Sequence, residues 1–211
     1  NNTVSGTVAF NNVTLTANGT DFGSASTVNG TLTMAGGFIG NTNPPTYGNA
    51  STLLYNVGGN WGRGDEWNSA TGAGYPHNVT ISNNTTLELG ANGGTGIARQ
   101  IAGNLTVDSG STLTLASPAM TQALTVLGNF VNNGAVTLSS ASGGDLRLEG
   151  DFDDNGAFTA NGRAVFFEGG NIQNISSTTD PLDIDVMRIN KSGGEVVMAQ
   201  PEEEFDRYAI E

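Results

Sequence analysis

The sequence predicts an all-β chain, a right-handed parallel β-solenoid of roughly 20–25 residues per coil, with an aromatic-rich excursion and a short acidic tail. Three observations carry that prediction. Four related blocks recur, beginning Gly103-Asn104-Leu105, Gly128-Asn129-Phe130, Gly150-Asp151-Phe152 and Gly170-Asn171-Ile172. Stretches of alternating apolar and polar residues flank the blocks, so each repeat holds about three short strands with one buried and one wet face. Gly, Asn, Ser and Thr supply 96 of the 211 residues, a composition that suits polar outer faces and tight turns.

Residues 1–40 read as solenoid coils, the end of a preceding module, with Val13-Thr14-Leu15-Thr16 and Leu32-Thr33-Met34 alternating between Asn-Gly turns. Residues 41–78 break the pattern. They hold Pro44-Pro45, both tryptophans and three of the four tyrosines, and they alternate only from Leu53 to Val57. That marks an excursion or a junction between two solenoid segments. Coiling resumes at Val79-Thr80-Ile81 and runs to residue 200. There Leu124-Thr125-Val126-Leu127, Leu146-Arg147-Leu148-Glu149 and Val165-Phe166-Phe167-Glu168 precede the last three blocks. Leu113-Thr114-Leu115, Val136-Thr137-Leu138 and Phe158-Thr159-Ala160 follow the first three. Stacked coils would place Leu105, Phe130, Phe152 and Ile172 in one internal column. Residues 201–211 form the acidic tail, helical or extended, because Pro201 and three glutamates stand where a helix would start.

Charge narrows the function classes. The net charge is -13, with seven basic residues, one lysine, one histidine and no cysteine, which argues against a nucleic-acid partner. No apolar run reaches the length of a membrane span, and no basic amphipathic face suggests a membrane surface. Residues 1–144 contain five acids and two bases, whereas 145–211 contain fifteen and five. The missing start methionine and signal segment suggest an excised or mature fragment.

The strongest chemical pattern is Asp151-Phe152-Asp153-Asp154-Asn155-Gly156, which matches the first half of a calcium loop and offers Asp151, Asp153 and Asn155 as ligands. Position twelve is Gly162, where an EF-hand needs glutamate. The equivalent turn one repeat earlier, Asn129-Phe130-Val131-Asn132-Asn133-Gly134, is uncharged, which favours an acidic solvent-facing turn; calcium stays the candidate cofactor of a chain that requires none. Trp61, Trp67 and Tyr75, with Tyr47 and Tyr55 nearby, offer aromatic faces on which a sugar could stack. The competing reading makes the tryptophans plugs of the core. Asp153-Asp154 with the Arg188-Ile189-Asn190-Lys191 run offers carboxylates and a basic partner for a polysaccharide hydrolase or lyase centre, but no Gly-His-Gly accompanies it and His77 lies far away in sequence. Thr14/Thr16, Thr31/Thr33 and Thr112/Thr114 form pairs of the ice-binding kind, interrupted at equivalent sites by Glu88, Asp108, Arg147 and Glu149.

The run Gly59-Asn60-Trp61, Trp67, Pro76, Val79-Thr80-Ile81, Asn104-Leu105-Thr106-Val107 and Thr112-Leu113-Thr114-Leu115 resembles repeat modules of large secreted surface proteins of Bacteroidetes-type bacteria. The Gly128-Asn129-Phe130 run and Ile189-Asn190-Lys191-Ser192-Gly193-Gly194 are similar to later coils of those proteins. The likeness covers about residues 57–200 and carries no catalytic signature. It implies export by the type IX secretion pathway to the outside or the cell surface, as a stalk, adhesin or polymer-handling part. The partners it implies are extracellular polysaccharide, other surface proteins and the secretion machinery. The sequence therefore predicts a non-enzymatic structural or adhesive solenoid, with a carbohydrate-binding module using the 41–78 aromatics as the alternative.

Overall fold

The computed structural model describes residues 1–178, 182, 184–198 and the strand Tyr208–Ile210. The chain is all-β and winds through about nine turns of about 22 residues, stacked through parallel strands. One sheet runs the whole way. Its nine strands are Val13–Leu15, Thr31–Met34, Thr52–Tyr55, Asn78–Ile81, Leu105–Val107, Phe130–Asn132, Phe152–Asp154, Gln173–Ser177 and Val196–Met198. Most alternate so that inward side chains join the core while Thr, Asn or Asp faces outward, with Leu54 and Val131 as apolar outward residues.

The other two faces are laid down twice. Two three-stranded sheets serve the first coils and end at Phe38–Ile39 and Thr46–Tyr47. A five-stranded sheet starting at Asn60–Gly62 and a six-stranded sheet starting at Arg99–Ile101 serve the later ones. The exchange runs from Phe38–Ile39 to Arg99–Ile101 and so encloses segment 41–78. Within it Thr52–Tyr55 pairs in register with Thr31–Met34 on one side and Asn78–Ile81 on the other. The only alternation visible there, Leu53 to Val57, belongs to the one face that continues.

Leu32, Leu53, Val79, Leu105, Phe130, Phe152 and Ile175 follow one another inside this sheet, all buried. The expected column therefore needs one correction, because Ile175 stands next to Phe152 and Ile172 is 57 % exposed. The reason lies in what the block's glycine does. A Cβ on Gly128 would strike the Gly103 backbone, and one on Gly150 would strike the Gly128 carbonyl, so glycine there permits close stacking of turns. One coil on, Gln173 holds that place and folds its side chain inward, donating to the carbonyls of Leu148 and Gly150 at 3.0 and 2.7 Å. The register triplet is thus Gln173-Asn174-Ile175, and Gly170-Asn171-Ile172 precedes the strand.

The block's second residue builds a ladder. The Oδ1 atoms of Asn78, Asn104, Asn129 and Asp151 accept the backbone N–H of Asn104, Asn129, Asp151 and Asn174, each one coil on, at 2.9, 2.9, 3.0 and 2.7 Å. Asn78 also donates to the Ser51 carbonyl at 3.1 Å. Asn78→Ala removes both bonds and is expected to lower stability by about 1–2 kcal/mol in chemical denaturation; an unchanged midpoint would show that the ladder adds nothing.

The run 201–207, where a helix start was expected, lies outside the described residues. Tyr208–Ile210 is a strand pairing in parallel with Val186–Ile189.

Candidate functional site

Coil length varies mainly at one corner. Between the five-stranded and six-stranded sheets, successive turns insert residues 89–98, 115–123, 138–145 and 160–163. On the coil before these, the chain after Asn60–Gly62 passes through a single turn of 3₁₀ helix, Asp65–Trp67. Between that turn, loop 89–98 and the end of the first short sheet lies a groove of about 550 Å³, lined by Phe38, Ile39, Arg63, Gly64, Asp65, Asn68, Asn92 and Ile97. An adjoining hollow of about 240 Å³ shares Phe38, Gly64 and Asn92 and adds Trp61 and Glu66. Phe38 and Ile97 are 47 % and 45 % exposed, so the groove has an apolar rim.

Behind the groove sits a layer of buried polar groups. The Tyr55 hydroxyl donates to Glu66 Oε1 at 3.0 Å, the Gly64 N–H donates to the same oxygen at 2.8 Å, and the Tyr47 hydroxyl donates to the Glu66 carbonyl at 2.8 Å. Burial pushes the Glu66 carboxyl up, and burial together with the Glu66 charge pushes both tyrosines well above their usual value. Arg63 is spent on carbonyls: it donates to those of Leu89, Gly64, Trp67 and Ala91. Arg99 differs. Its side chain is fully buried, none of its three nitrogens has a hydrogen-bond partner, and burial followed by the nearby Arg63 charge lowers it to about 10.

Neither arginine stood out in the sequence, although a signal was present. Arg99-Gln100-Ile101 pairs with Leu124-Thr125-Val126, so Arg99 occupies a leucine position in the inward column. The first block lacked an alternating apolar stretch before it for this reason.

No protein-family model, curated protein or solved structure matches the chain.

The three aromatic residues expected to stack on sugars are placed differently from one another. Trp67 is wholly buried and donates through Nε1 to the Gln100 carbonyl at 3.0 Å, so it has no face to offer a ligand. Tyr75 is half-buried, and its hydroxyl accepts from Gln100 Nε2 at 2.9 Å. Trp61 alone lines the hollow beside the groove. Tyr47 and Tyr55 are core residues bound to Glu66.

The calcium candidates are engaged within the solenoid. Asp151 Oδ1 takes the Asn174 backbone N–H and, at 3.1 Å, its side-chain amide. Asp153 Oδ1 accepts from Asn155 Nδ2 and Ser176 Oγ, both at 3.0 Å, and Asn155 also donates to Asn133 at 3.2 Å. These bonds draw the side chains along the outer face from coil to coil. Among the described residues no group of three or more His, Cys, Asp or Glu is gathered as for a metal ion. Asp153 points outward, whereas Asp154 is buried and accepts from Asn132 Nδ2 at 2.6 Å. Two carboxylates on opposite faces of a strand cannot flank one glycosidic bond. Arg188 stands on the outer face of the six-stranded sheet with its guanidinium 5.6 Å from the Phe166 ring centre, and Lys191 donates to Gln173 Oε1 at 2.6 Å. His77 is half-buried beside Gly103, away from these acids. Among the described residues no helix is long and apolar enough to cross a membrane.

Proposed function

We propose that the chain is a non-catalytic, rigid segment of an exported or cell-surface protein, which spaces and displays the loops at one corner of its coils. The observation that supports this reading best is the nine-stranded parallel sheet with its side-chain ladder, beside a corner where coils differ in length. A shaft built this way fixes the pitch of neighbouring loops at about 4.8 Å per coil and tolerates insertions without disturbing the core. The polar, uncharged outer faces of the early coils suit exposure to solvent, and the resemblance to surface-protein modules favours the same setting. Antibodies against loop 63–77 are expected to label intact producing cells. Labelling only after permeabilisation would overturn the placement.

A second reading, retention of extracellular polysaccharide, has support from the groove, where Trp61 and Phe38 share one hollow. On this reading Phe38→Ala abolishes retention on a polysaccharide column while melting as the parent does. Trp67→Ala should instead lose the fold, by about 3–5 kcal/mol. Equal retention by Phe38→Ala and the parent would remove the groove from consideration.

A further inference from the structure

The groove beside the 3₁₀ turn is short of hydrogen-bond donors and well supplied with acceptors. Three of its lining side chains can donate, Arg63, Asn68 and Asn92, and each already does so to the protein. Arg63 is 3 % exposed and turns Nε, Nη1 and Nη2 onto the carbonyls of Leu89, Gly64, Trp67 and Ala91. Asn68 Nδ2 donates to Asp65 Oδ1 at 3.1 Å, and Asn92 Nδ2 donates to the Arg63 carbonyl at 2.8 Å. In the adjoining hollow, Trp61 Nε1 is closed off from the surface. The acceptors are in the opposite state. Among the described residues no donor reaches Asp65 Oδ2 or Asn92 Oδ1, although Asp65 is only half-buried and Asn92 is exposed.

We propose that the groove takes a neutral polysaccharide, one whose sugar rings carry hydroxyls alone, and turns away chains bearing carboxylate or sulfate. The inference rests on the polysaccharide reading above and adds its substrate class. A hydroxyl donates as well as accepts, so it can satisfy Asp65 and Asn92. Ionised carboxylate and sulfate only accept, and the lining side chains have their donors committed elsewhere. Taking such a group out of water without a partner costs binding. Phe38 and Ile97, 47 % and 45 % exposed, supply apolar surface for the C–H face of a sugar ring, with Trp61 in the hollow alongside. The volume of about 550 Å³ falls within the roughly 300–1,000 Å³ of pockets that hold small ligands, so a short stretch of chain fits.

Affinity electrophoresis of the whole chain through gels holding matched polymers tests this. The pairs are dextran and dextran sulfate, hydroxyethylcellulose and carboxymethylcellulose, and methyl-esterified and de-esterified polygalacturonate. In at least one pair the neutral member should bind about tenfold more tightly than the charged one. Asp65→Asn replaces an acceptor oxygen with a donating amide, and Ile97→Lys adds a donor on the exposed rim; each should narrow that ratio by about fivefold. Glu149→Gln makes the same change in net charge as Asp65→Asn at an exposed position outside the groove, and should leave the ratio as it is. That control separates the groove from repulsion by the acidic chain as a whole. Equal or tighter binding of the charged member, or a ratio that Asp65→Asn and Glu149→Gln alter alike, overturns the neutral preference and leaves polysaccharide binding standing. Retention of neither member of any pair removes the polysaccharide reading and this inference with it. Should Asp65→Asn fail to fold, Ile97→Lys decides, and a ratio equal to the parent's overturns the proposal.

Discussion

Phe152→Ala is expected to cost about 3–5 kcal/mol, enough to unfold the later coils at moderate denaturant concentration. Phe152 is the centre of an aromatic cluster. It stacks on Phe130 with ring centres 5.2 Å apart and planes 12° from parallel, and meets Phe158 and Phe167 edge-on at 5.6 and 6.2 Å. Phe158 also meets Phe130 at 6.4 Å, so four rings from two neighbouring coils lock together. Truncation removes the ring that touches the other three and leaves a cavity that β-strands cannot collapse to fill. Phe152→Leu should recover most of the loss. A midpoint for Phe152→Ala within about 0.5 kcal/mol of the parent's would contradict this packing.

The second large effect is a pH dependence centred on Asp154. The inward column that holds Leu15, Met34, Tyr55, Ile81 and Val107 turns polar at Asn132, Asp154 and Ser177. Burial pushes the Asp154 carboxyl above its usual 3.8, against the lowering effect of the Asn132 amide, and its Oδ2 is a buried oxygen without a partner. Below pH 3.8 both folded and unfolded chains hold the proton and the group contributes nothing; above it the unfolded chain releases the proton first, so stability falls as pH rises until the folded value is passed. Asp154→Asn keeps the acceptor for Asn132 and removes the ionisation. The variant should match the parent near pH 3 and then gain on it by about 1.4 kcal/mol per pH unit through that window. Buried Glu66, also raised, leaves the variant a residual slope of the same sign. Parallel stability curves for parent and variant would refute the assignment.

How far the sequence could be read depends on what each residue's neighbours are. The repeat blocks revealed the solenoid because Gly128, Asn129 and Phe130 do three separate jobs at fixed spacing: close stacking, ladder bonding and core filling. The same reading went astray at Ile172, since a Gly-Asn-Ile triplet satisfies the pattern by eye while Gln173-Asn174-Ile175 satisfies the register. The site was less legible. Trp61 and Trp67 are six residues apart and alike in sequence, yet one lines a hollow and the other is sealed in the core. Arg63 and Arg99 were unremarkable because their relationship spans 36 positions and exists only once a full coil has closed between them. The acidic run Asp151 to Asp154 has the spacing of a chelating loop, and the fold divides it between a ladder on the outer face and a buried acid whose carboxyl is held above its usual range.

The continuous sheet has a consequence for how the chain holds together under load. In a stack where each coil touches only its neighbours, the weakest plane sets the breaking point. Such a plane would fall between Ile39 and Arg99, where two faces stop and others begin. The third face passes through that plane with four paired residues on each side, Thr52 to Tyr55 against Thr31 to Met34 and against Asn78 to Ile81. Those are the longest continuous pairings in the sheet, so the seam is bridged where it is thinnest, as a splice plate bridges two beams.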